Sequence, residues 1–166
     1  MKGPTAADID RLVSRVPIPV PWSAEAVVAG VADVVQRPVH LLTRRASEDD
    51  RVYATVVAAT DAYYIFVRDD LRGLHRDLAI SHELGHILAG HLSTANSAGA
   101  PPDGLVAALP SLSPALIARI LNRECCHSEE REIEAERIAT ALLARGRDRG
   151  RRPTHPLARG FGDALQ

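Results

Sequence analysis

His82, Glu83 and His86 stand in the stretch SHELGHILAGH as an H-E-x-x-H motif. Residues four apart on an α-helix differ by about 40° around its axis, so both imidazoles point the same way and can share one metal ion. Glu83 lies about 100° from His82, beside such an ion and not on it. A carboxylate there can take a proton from water at the metal. The motif supplies two zinc ligands, His82 and His86, and a catalytic base, Glu83; a third protein ligand must come from elsewhere in the chain.

The pattern H-E-x-x-H-x-x-G-x-x-H would place that ligand ten residues on from His82, but it needs Gly at 89 and His at 92, where this chain has Ala89 and Leu92. Gly90 and His91 are each one position out, and His91 reads as a residue favoured by the dipole at a helix C-terminus. The later run SEEREIEAERIATALLA offers five glutamates that differ around a helix axis. With Glu132 as zero, Ala135 falls at about 300°, Ile138 at about 240°, Ala139 at about 340°, Leu142 at about 280° and Leu143 at about 20°. Glu132 lies inside this apolar arc. A carboxylate in a buried stripe is costly unless it meets a cation, so Glu132 is the predicted third ligand. Glu136, at about 40°, borders the arc and is expected to accept from the free N–H of a ligating histidine. Glu130 and Glu134 are expected to face solvent, and Glu134 is the alternative ligand if the helix phase slips.

The elements that must hold these residues are legible from periodicity and punctuation. Ile9, Leu12, Val13 and Val16 predict a short helix over 5–16, stopped by Pro17, Pro19 and Pro21; Ser23 caps a second helix that ends before Pro38. Strands are predicted over 39–43, 52–58 and 63–67, the last two as a hairpin turning at 60–62. The motif helix is predicted over 71–91, with Leu71, Leu78, His82, His86 and Ala89 in one inward sector. A loop rich in Gly, Ala, Pro and Ser over 93–110, a helix over 113–121, the glutamate helix over 128–144 and a basic, disordered tail over 145–166 complete the chain. The class is α+β: a small three-stranded sheet packed on the motif helix and the glutamate helix.

Length and composition set the remaining bounds. A chain of 166 residues with 46% hydrophobic content can bury one core and is too short for two comfortable domains, so residues 1–144 are expected to form a single domain. The net charge of −1 provides no field for nucleic acid, and no direct nucleic-acid binding is expected. No apolar run approaches the roughly 18 residues of a membrane span, and the N-terminal stretch lacks the blocks of a signal peptide. A cytoplasmic protein is expected. Cys125 and Cys126 are adjacent, which disfavours a disulfide, and with Glu124 and His127 they lack the spaced pairs of a structural zinc site. His75 lies on the histidine face two turns before His82, so it and His127 are further residues that could approach a cleft.

Taken together, HELGH at 82–86 and the pattern E-x-E-A-x-x-φ-A at 132–139 resemble the ImmA/IrrE family of zinc metallopeptidases, over roughly residues 20–144 and nearest to its short actinobacterial members. The resemblance implies a gluzincin-like fold and one Zn2+ per chain. It also implies limited proteolysis of a helix-turn-helix transcriptional repressor encoded nearby. The chain departs from the family pattern at Glu136, where Asn or Asp is usual, at Ile138, where Phe is usual, and at Ala144-Arg145, where Met-Pro is usual. The main rival reading is a non-catalytic, zinc-binding regulatory or toxin-like module that acts by contact with a repressor or antitoxin. A peptide substrate is expected to add as a strand to an edge of the 52–67 hairpin.

Overall fold

The computed structural model describes residues 4–46, 52–58, 62–92 and 128–151, the last four of them as backbone only. The predicted loop over 93–110, the helix over 113–121, Cys125, Cys126, His127 and the 60–61 part of the hairpin turn lie outside the described residues, as do residues 152–166. Within the described residues the chain is a small α+β domain of four helices and one three-stranded sheet.

Helix α1 (Ala6–Ser14) begins with Thr5 and Asp8 in a reciprocal capping box, which satisfies two backbone N–H groups that a bare helix end would leave open. Helix α2 (Ala24–Val35) is capped by Ser23, whose hydroxyl accepts from the Ala26 N–H at 3.1 Å. Three strands follow: β1 (Val39–Arg44), β2 (Ala54–Ala58) and β3 (Tyr63–Arg68). Their order is β1-β3-β2, with β2 antiparallel and β1 parallel to β3. The register sets Leu41 opposite Ile65 and Val56 opposite Ile65, so Leu41, Val56, Ile65 and Val67 share the face that joins the helical core.

Helix α3 (Gly73–Leu88) carries the motif, and helix α4 (Glu129–Arg151) carries the glutamates. Ile80, Leu84 and Ile87 of α3 and Ile138 and Leu142 of α4 are buried with Val13, Val27, Val31 and Ile65 in one core. Two helix boundaries differ from expectation. Helix α3 is shorter than the predicted 71–91, because the chain enters it through Gly73 at φ 52° and leaves it through Gly90 at φ 68°, both in the left-handed region open to glycine. Helix α4 runs to Arg151, past the predicted end at 144 and into the segment expected to be a disordered tail. Gly146 there is a packing residue and not a stop signal: a Cβ added to it would lie 1.9 Å from Trp22 Cδ1.

Candidate metal centre

At Gly85, the fourth residue of HELGH, α3 and α4 meet backbone to backbone. A Cβ built on it would sit 2.5 Å from the Ala135 carbonyl oxygen and 3.0 Å from Ala135 Cα, so only glycine permits this approach. Ala135 is fully buried. The contact sets the α4 face beside the two histidines of α3, and Glu132, one turn before Ala135, is carried to them.

The structure brings together His82, His86 and Glu132. His82 Nε2 lies 3.1 Å from His86 Nε2 and 3.2 Å from Glu132 Oε2, and His86 Nε2 lies 3.6 Å from Glu132 Oε1. Four-coordinate bonds of about 2.0–2.1 Å place donor atoms about 3.3 Å apart at the corners of a tetrahedron. The three separations bracket that value, and the residues form a group that could hold a metal ion. His86 is buried at 2% exposure, whereas His82 and Glu132 are half-buried, so the group opens to one side.

Glu83 is buried at 6% exposure, and with His82 it lines a groove of about 590 Å³. The groove runs between the start of β2 and the outer side of α3. Its other lining residues are Val52, Tyr53, Ala54, Leu71, His75, Leu78 and Ala79, so its wall is mostly apolar. Leu78, expected to face inward with the histidines, is instead 43% exposed on this wall. His75 lines the same groove, but seven residues of helix put it about 10 Å along the axis from His82. Strand β2 is an outer strand of the described sheet, yet Ala54–Ala58 is buried throughout; exposure begins at Tyr53 and Val52.

The neighbour of the second histidine is not the one expected. Glu136 is exposed and makes no described contact with His86, which corrects its assignment as the acceptor behind a ligating histidine. Glu134, expected to face solvent, is drawn inward: its Oε2 lies 3.3 Å from His91 Nε2, and His91 Nδ1 lies 3.1 Å from His86 Nδ1. His91 is also displaced from its expected role at a helix end. Its side chain is only 6% exposed, tucked under His86. Helix phase alone does not select between them, since the buried arc of Ala135, Ile138, Ala139 and Leu142 centres near 290°, about 90° from Glu134 and about 110° from Glu136; the His91 ring on the Glu134 side does. A further signal lay in the sequence Gly90-His91, because a glycine just past a helix end folds the next residue back onto the last turn.

No family model, curated protein or solved structure matches this chain. No helix among the described residues is long and apolar enough to cross a membrane.

Proposed function

We propose that this chain is a zinc metallopeptidase of the ImmA/IrrE type with a gluzincin-like arrangement, in which His82, His86 and Glu132 hold one Zn2+ and Glu83 is the catalytic base. The observation that carries the reading is the convergence of two imidazole nitrogens and a carboxylate at near-tetrahedral separations, with a second carboxylate beside them on the wall of an open groove. A site meant only to brace the fold is closed by four protein ligands, whereas the three donors found among the described residues leave a position for reactants. The donor set, two nitrogens and one carboxylate oxygen, suits zinc.

Zinc bound there would act as a Lewis acid toward a peptide carbonyl and would acidify the attacking water. The Glu83 carboxylate takes the proton from that water and returns it to the departing amine nitrogen. An extended peptide would lie along the β2 side of the groove against the exposed side chains of Val52 and Tyr53, with Leu71 and Leu78 in apolar contact opposite. The proposed substrate is a helix-turn-helix repressor encoded beside this gene, cleaved at a single exposed segment.

Glu83→Gln tests the reading. The variant is expected to keep its metal and its fold while peptide-bond cleavage of the neighbouring repressor, followed by mass spectrometry of new termini, falls on the order of 100- to 10,000-fold. Unchanged biological output from Glu83→Gln, with the repressor intact in both cases, would establish the contact-only regulatory module instead.

A further inference from the structure

The ring of His86 has two differently occupied edges. Its Nε2 faces His82 and Glu132, while its Nδ1 faces His91 Nδ1 at 3.1 Å; the other nitrogen of His91 faces the Glu134 carboxylate at 3.3 Å. We propose that His91 and Glu134 are positioning residues that fix the tautomer and orientation of His86, so that its Nε2 lone pair is held toward the metal. The inference rests on the metal-centre reading above.

The direction of the chain follows from counting protons. Each neutral imidazole carries one N–H, and a carboxylate is an acceptor only. Glu134 therefore takes the His91 Nε2–H, which leaves His91 Nδ1 as an acceptor. That nitrogen accepts from His86 Nδ1–H, and His86 Nε2 is then left without a proton. Run the other way, the chain would place a proton on His86 Nε2 and spoil it as a ligand. The carboxylate at the far end thus selects the tautomer two residues away, and hydrogen bonding of this kind raises the donor strength of the ligating nitrogen.

Backbone geometry holds the relay in place independently of the rings. Gly90 turns left-handed after α3, its N–H donates to the Ile87 carbonyl at 3.1 Å, and the His91 N–H donates to the His86 carbonyl at 3.0 Å. This closure returns residue 91 to the turn containing residue 86. On α4, Glu132 and Glu134 flank Ala135 by about 60° and about 100° on opposite sides. With Ala135 seated on Gly85, one glutamate reaches the Nε2 edge of His86 and the other reaches His91 behind it. The E-x-E-A segment therefore combines a ligand, the end of the relay and the helix contact. Among the described residues, the group able to hold an ion comprises His82, His86 and Glu132, with His91 and Glu134 outside it.

Competition for zinc against a chromophoric chelator tests this with the full chain, comparing wild type with His91→Leu, His91→Gln and Glu134→Ala, each checked for folding by circular dichroism without metal. His91→Leu and Glu134→Ala are expected to weaken zinc binding about 10- to 100-fold. His91→Gln, whose amide can accept from His86 and donate to Glu134, is expected to recover most of the loss. In zinc-loaded wild type, two-bond nitrogen–proton NMR spectra are expected to show the proton of His86 on Nδ1 and that of His91 on Nε2, a signature that packing alone would not impose. Tight zinc binding in wild type, undiminished in folded His91→Leu and Glu134→Ala, or a His91 proton found on Nδ1, would overturn the relay alone. Wild type that takes up no zinc would overturn the metal centre and the relay with it.

Discussion

At Gly85 two general preferences oppose each other, which makes its substitution informative. Alanine is favoured over glycine inside a helix by about 1 kcal/mol. Yet the added Cβ would meet the backbone of Ala135, with its carbonyl oxygen at 2.5 Å, and a backbone atom cannot swing aside as a flexible side chain can. Gly85→Ala is therefore expected to destabilise by about 1–3 kcal/mol, the usual range for overpacking, and to weaken metal binding by moving Glu132 away from the histidines. Thermal unfolding with a parallel zinc titration checks both; a stabilised variant with unchanged affinity would show that the helices do not meet there. Residue types with a dictated spacing, such as His82, Glu83 and His86, were legible because one helix fixes their geometry. Glu132 was legible because its angle falls inside the apolar arc read from the sequence, although the structure leaves its side chain half-exposed. Glu134 and Glu136 were exchanged because angles on one helix say nothing of what the opposing surface presents, here a histidine brought in by Gly90.

Elements were read well where punctuation was local. Thr5, Ser23 and the prolines after Val16 mark helix ends that the structure keeps within a residue or two, and the three strands appear close to their predicted positions. The antiparallel pairing of β2 with β3 was readable as a hairpin, but the parallel pairing of β1 with β3 was not, since it depends on partners distant in sequence. The end of α4 was misjudged because the basic, Gly-rich composition after Ala144 does not reveal that Gly146 packs against Trp22. On α3, Arg76 reaches across to Glu25 of α2 at 2.8 Å and holds that carboxyl below its usual range, after a larger effect from backbone hydrogen bonding. The next residue, Asp77, behaves oppositely: burial raises it above the usual 3.8, Arg76 offsets this in part and Glu25 adds to it. An acid raised on folding contributes most below its unfolded value and loses that contribution as pH rises through the folded value. Asp77→Asn is thus expected to melt higher than wild type at about pH 7, with the difference vanishing below pH 3.8. Paired melts across that range check it, and a variant that gains nothing at neutral pH would refute the assignment.

For the whole molecule, the proposed ligands span the interface that matters most: His82 and His86 come from α3 and Glu132 from α4, fifty residues apart in the case of His82. Helix α4 is also the element whose Ile138 and Leu142 share the core with Val13 and Val27, so a metal joining it to α3 would link the candidate site to the hydrophobic centre. An ion that binds the folded chain and not the unfolded one adds about 2.7 kcal/mol when present at 100 times its dissociation constant. For a domain of this size that corresponds to a rise in Tm of roughly 5–10 °C. Zinc is expected to raise the Tm of wild type by that amount, and a chelator to reverse it. Glu132→Ala should abolish most of the response while leaving the metal-free Tm nearly unchanged, because Glu132 is half-exposed and lies outside the hydrophobic core. Glu136→Ala should leave both the metal-free Tm and the zinc response as they are, since that side chain points to solvent. A zinc response that survives Glu132→Ala would mean that Glu132 is not the third ligand, and Glu134 or a residue outside the glutamate helix would have to supply it.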